Sequence, residues 1–247
     1  IEFSVPLFIS VAAGSVNAQS AVITAQAHLG LAAIGVITLA TTITSFTDRI
    51  DQLVTGTLYP AICAVQDRIA LLEETFVKSN RLALMWAVPF GTALTLFCSD
   101  LVTYGIGEKW RSAVIVLQIY GVIAAAGHLG FNWHAFFRAR GETRPIAVTS
   151  VAAMVAFLVF GIPLLLLYDL RGFALGIALQ GLVHVGFRAY YLQRLFQGFG
   201  FLGHALRAVL PTLPAVGVVL VMRLVEPVDR TLAIALGELS LYVAVTI

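Results

Sequence analysis

From Ile146 to Leu167, 22 consecutive residues carry no charged side chain. A helix needs about 20 mostly apolar residues to cross the hydrocarbon of a bilayer, and only a helix or a closed barrel satisfies its backbone there. Membrane barrel strands alternate apolar and polar over about ten residues, whereas this run is apolar on every side. It therefore predicts a membrane-spanning helix. Comparable runs recur at about Phe3–Ala25, Leu29–Thr47, Leu82–Val102, Ser112–Phe137, Phe173–Tyr191 and His204–Met222, with another starting near Thr231. Composition agrees, since 60% of the 247 residues are hydrophobic and 11% charged, against about 25% charged in an ordinary soluble domain. The expected fold is all-α, a polytopic transmembrane bundle of about eight membrane helices. A soluble enzyme and a disordered chain are both excluded.

The connections carry turn and charge signals. Arg138–Pro145 is a polar turn, Asp169–Gly172 a tight hairpin between the fifth and sixth spans, and Val225–Asp229 a third break. The longest connection, Asp48–Arg81, has Ile69, Leu72 and Phe76 at helical spacing among charges. Gln66–Lys78 is thus expected to be an amphipathic helix at the membrane surface, within a cytoplasmic connector over about 60–80. Even-numbered loops hold ten Lys and Arg residues against five in the odd ones, which places the even loops in the cytoplasm. The chain begins Ile1-Glu2-Phe3 without Met and stops at Ile247 in an apolar run. It is read as part of a longer membrane protein.

Polar side chains are costly in hydrocarbon, so their placement is the strongest functional signal. Ser10, Gly14, Asn17, Ala21, Thr24 and His28 recur at steps of three and four along the first helix. On the second, Thr38, Thr41, Thr42 and Ser45 form a hydroxyl face that continues to Asp48 and Arg49. Two adjacent stripes fit a shared wet cavity, and equally a packing seam where small residues let helices approach. On the fourth helix, Gln118, Gly121, Ala125, His128 and Asn132 share a face, and His134 and Arg138 stand four apart; on the sixth, Gln180, His184 and Arg188 do the same. His128, His184, Arg138 and Arg188 could meet a phosphate headgroup, because guanidinium binds phosphate oxygens bidentately. They could equally snorkel to the interface and bond locally.

Other chemistry finds no support in the sequence. Cys63 and Cys98 are isolated, His128 and His134 are six residues apart, and no paired intramembrane carboxylates are evident. No catalytic residue, metal site or cofactor is expected. No Walker-type glycine loop occurs, so a transporter would draw on gradients or substrate supply. With net charge +2 and no basic tail, nucleic acid is not expected as a partner.

Four ordered stretches resemble a known family. They are Gly30-Leu-Ala-Ala-Ile-Gly35, Leu58-Tyr-Pro-Ala-Ile-Cys-Ala-Val-Gln-Asp67, Gly105-Ile-Gly-Glu-Lys-Trp-Arg-Ser-Ala-Val-Ile-Val-Leu-Gln118 and Ala139-Arg-Gly-Glu-Thr-Arg-Pro145. Together they look like the multidrug/oligosaccharidyl-lipid/polysaccharide exporter superfamily, in its polysaccharide-biosynthesis branch of lipid-linked oligosaccharide flippases. The resemblance implies two six-helix lobes that alternate between inward-open and outward-open states. Residues 1–196 would be the second, C-terminal lobe, and 197–247 two additional transmembrane helices. The first two helices would line the central cavity.

The implied activity is movement of a polyprenyl-diphosphate-linked oligosaccharide across the bacterial inner membrane for surface polysaccharide biosynthesis. Ser10, Asn17, Thr24, Thr41, Thr42, Ser45 and Arg49 are the expected cavity residues. Membrane lipids and a polysaccharide polymerase are the expected partners. The rival expectations are a multidrug/cation antiporter of the same fold, which would be expected to show a buried carboxylate, and a non-transport scaffold subunit.

Overall fold

The computed structural model describes residues 2–225 and 230–246. Of the predicted break Val225–Asp229, residues 226–229 lie outside the described residues. Ten helices follow in order: α1 (Ser4–Leu29), α2 (Leu31–Ala64), α3 (Ile69–Asp100), α4 (Val114–Gly127), α5 (Trp133–Ala139), α6 (Arg144–Ala156), α7 (Ile162–Leu195), α8 (Phe201–Val209), α9 (Leu213–Val225) and α10 (Leu232–Thr246). There is no strand among the described residues. Among the described residues, six helical stretches are long and apolar enough to cross a membrane, and α10 is a shorter apolar helix.

One of the six, 144–195, is 52 residues long and contains the predicted hairpin. Within α7 the backbone leaves helical geometry at Tyr168 (φ −131°) and Asp169 (φ 55°). A positive φ is rare outside glycine, and Asp is among the residues that tolerate it. Two glycines let the arms close. A Cβ on Gly176 would lie 2.5 Å from Gly161 Cα, and one on Gly172 would collide with the Leu164 carbonyl. Phe157 and Phe173 meet edge to face across the same seam, 6.3 Å apart.

The predicted connector is shorter than expected. The helix expected to end at Thr47 runs on to Ala64, taking Pro60 into its last turns. After a turn at 65–68, α3 continues unbroken from Ile69 to Asp100. The amphipathic segment is therefore the start of α3, not a separate surface helix. Nothing between Lys78 and Leu82 breaks a helix. Ser79 and Asn80 are buried and bonded to the 128–132 turn instead of exposed. Leu72 and Phe76 do lie on the buried face, where Phe76 packs against Phe136, Phe196 and Phe199.

The predicted fourth span, Ser112–Phe137, is also divided. A short 3-10 segment, Glu108–Ala113, leads into α4, and a turn separates α4 from α5. Gly130 sits in that turn at φ +68°, and a Cβ there would lie 2.8 Å from Leu192 Cδ1 and 3.1 Å from Arg188 Cδ. α3 and α4 cross closely where Gly91 faces Gly121. One apolar cluster joins α2, α3, α4 and the hairpin. A second, aromatic cluster joins α3, α5, the end of α7 and α8. α1 leans on α6, with Ser10 Oγ 2.7 Å from Ser150 Oγ.

Candidate functional site

Turning 100° per residue, Thr41, Thr44, Asp48, Asp51, Thr55 and Tyr59 fall on one face of α2. That face walls a cavity of about 1030 Å³. The opposite wall is Tyr120 and Ala124 of α4, His128 and Asn132 of the turn, His134 and Arg138 of α5, and Arg188 of α7.

A buried polar contact in this wall is made by His128. Its side chain is 6% exposed, and Nε2 lies 2.8 Å from Asp51 Oδ2 and 3.7 Å from Asp48 Oδ1. Its Nδ1 lies 2.5 Å from the Ala124 carbonyl oxygen. Arg188 is buried, and its NH1 donates to the carbonyls of Gly127 (2.6 Å) and Leu129 (2.8 Å). A guanidinium at that point closes the C-terminal end of α4, where carbonyls lack helical partners. Asn80 holds the same turn from α3. Its Nδ2 donates to His128 O at 2.8 Å, its Oδ1 accepts from the Gly130 amide at 3.2 Å, and His204 Nε2 lies 2.7 Å from that oxygen.

The predicted site residues divide. Thr41, His128, Arg138 and Arg188 border the cavity. Ser10 is used in packing against α6. Asn17 and Thr24 are half-buried on α1 and lie away from this cavity, and Asn17 Oδ1 is buried without a hydrogen-bond partner among the described residues. Thr42, Ser45 and Arg49 do not border it either. They lie on the Thr38–Thr42–Ser45–Arg49 face, about 100° around the helix from the cavity face, and Ser45 Oγ donates to Thr42 O at 2.8 Å. His184 is half-buried and does not border the cavity.

With a helix expected to end at Thr47, Asp48 stood only as the continuation of the hydroxyl face and Asp51 as part of the connection, so neither was expected at the site. The signal was present: 41, 44, 48, 51, 55 and 59 continue one face without a break. The reading of acidic residues needs a second correction. Asp100 and Glu238 are paired carboxylates joined through Arg230, whose Nε lies 2.6 Å from Asp100 Oδ1 and whose NH2 lies 2.5 Å from Glu238 Oε2. Arg223 adds a 3.2 Å contact to Glu238 and stacks over Phe97 at 5.2 Å. These contacts hold the Arg230 guanidinium above its usual pKa, the hydrogen bond to Asp100 contributing most. The network ties α3 to α9 and α10.

A multi-pass, all-α membrane bundle with a polar cavity along one long helix is what these residues build. The family model for polysaccharide biosynthesis proteins matches residues 1–115, the stretch that contains α1, α2 and α3. No curated protein matches the chain. Among solved structures it is similar in fold to "Lipid II flippase MurJ, inward closed conformation", with TM-score 0.57 and 12% identity. That match covers 92% of this chain and 50% of that one, so the chain spans about half the length of that flippase.

Proposed function

We propose that this chain forms one lobe of a flippase that carries a polyprenyl-diphosphate-linked oligosaccharide across the bacterial inner membrane by alternating access. The observation that carries this reading is the cavity against α2. Its wall mixes hydroxyls with charge along one long helix, and its volume lies at the upper end for ligand pockets. Thr41 and Thr44 supply hydrogen bonds for glycan hydroxyls, and Arg138 supplies positive charge at the rim. The prenyl tail stays in the bilayer while the glycan crosses. The half-length match to a flippase fold supports two lobes rocking about a midplane site.

The test is deletion of the full gene, followed by measurement of lipid-linked oligosaccharides in the inner membrane. Accumulation of a complete, cytoplasm-facing lipid-linked repeat with loss of surface glycan is the expected result. Complementation with Thr41→Val/Thr44→Val at normal expression should restore only part of the export. Unchanged lipid intermediates would end this reading.

One observation favours the antiporter of the same fold. The Asp51 side chain is 13% exposed beside His128, which gives the buried carboxylate that cation coupling would use. New sensitivity to cationic drugs with unchanged lipid intermediates would select it.

A further inference from the structure

Three side chains from two elements converge on one point of the cavity wall. Asp48 and Asp51 are three residues apart on α2 and share a face, and His128 follows the last turn of α4. One ligand-type atom from each lies within 4.8 Å of the others. His128 is oriented from behind, because Nδ1 faces the Ala124 carbonyl oxygen at 2.5 Å. A carbonyl only accepts, so Nδ1 carries a proton there. Nε2 then faces two carboxylates, which only accept when ionised, so a second ring proton or a cation must lie between them.

Nε2 is buried 2.8 Å from Asp51 Oδ2, and Asp51 Oδ1 is buried without a hydrogen-bond partner among the described residues. A buried imidazole nitrogen facing a carboxylate is costly unless a proton or a cation sits between them. Donation of the second ring N–H to a backbone carbonyl is also how metal-binding histidines are usually held.

We propose that Asp48, Asp51 and His128 form a binding site for a divalent transition metal, Zn²⁺ or Mn²⁺, that links α2 to the end of α4. One imidazole nitrogen with two carboxylate oxygens suits these ions, whereas Mg²⁺ and Ca²⁺ prefer oxygen alone. Zinc bonds of about 2.0–2.2 Å in a tetrahedron put ligand atoms about 3.4 Å apart. The Nε2 distances of 2.8 and 3.7 Å bracket that value. Asp48, whose side chain is 66% exposed, is free to swing in. The fourth position opens on the cavity, where water completes the shell. The site does not depend on what the cavity carries.

The experiment is isothermal titration of Zn²⁺ and Mn²⁺ into the intact, untagged protein in detergent after chelator treatment, with bound metal counted by mass spectrometry. Wild type should bind one equivalent with a raised melting temperature. Affinity should fall as pH drops below about 6, because protons compete for the ligands. Asp51→Asn and His128→Gln should each weaken binding at least about tenfold. Asp48→Asn tests the same site from an exposed position, so it should weaken binding without lowering the metal-free melting temperature. If wild type binds no more metal than the Asp48→Asn/Asp51→Asn variant, a shared proton holds the cluster and the proposal fails.

Discussion

At Gly130 the backbone adopts φ +68° while the Arg188 stem and the Leu192 methyl press on the space a Cβ would fill. Both facts demand glycine, and together they explain why the apolar run from Ser112 to Phe137 does not stay one helix. Gly130→Ala should cost about 1–3 kcal/mol through backbone strain and contact, read as a lower melting temperature in detergent. Arg188→Met keeps the apolar stem but leaves the Gly127 and Leu129 carbonyls without their donor. It should cost about 3 kcal/mol. At this scale the sequence was half informative. Spacing of four residues marked Arg138 and Arg188 for attention, and both border the cavity. It did not show that Arg188 is spent on backbone carbonyls, because those partners stand about 60 residues away and enter only through tertiary packing.

Helices were legible where hydropathy alone defines them and illegible where another element decides their ends. The hairpin of α7 followed from Asp169–Gly172 because turn chemistry is local. The run of α2 to Ala64 did not, because Asp48, Asp51 and Gln52 look like a loop until His128 is seen opposite them. The first turns of α3 likewise read as a surface helix, since the long-range hydrogen-bond partners of Ser79 and Asn80 lie beyond residue 127. The hairpin gives a prediction of its own. Gly176→Leu must push Gly161 away, separating Phe157 from Phe173. Overpacking costs about 1–3 kcal/mol, and the variant should melt lower by fluorescence-detected size exclusion. Gly181→Ala, with open space around its Cβ position, should be neutral in the same assay.

On the scale of the molecule, α8, α9 and α10 attach to α3 through polar contacts: Tyr242 of α10 donates to the Pro89 carbonyl at 2.9 Å, and two further contacts add to it. One is His204 on Asn80, the other the cluster of Asp100, Arg223, Arg230 and Glu238. Breaking a buried ion pair by removing one partner costs about 3–5 kcal/mol. Glu238→Ala should therefore expose α10 to limited proteolysis ahead of α1–α7. Uniform protease resistance in that variant would show that the contacts left after Glu238 is removed hold the tail. The sequence did not reveal this network, since Asp100 and Arg230 are 130 residues apart. The length of α2 has a mechanical consequence. Its 34 residues make a rod of about 51 Å, joined to α1 by the single residue Gly30 at φ 80°. A pivot of about 5° at that joint carries the far tip through about 4 Å. In geometry the rod is a lever arm, with a glycine at one end and its cavity face near the middle, so a small rotation at one end amounts to a displacement of more than a water's width at the other.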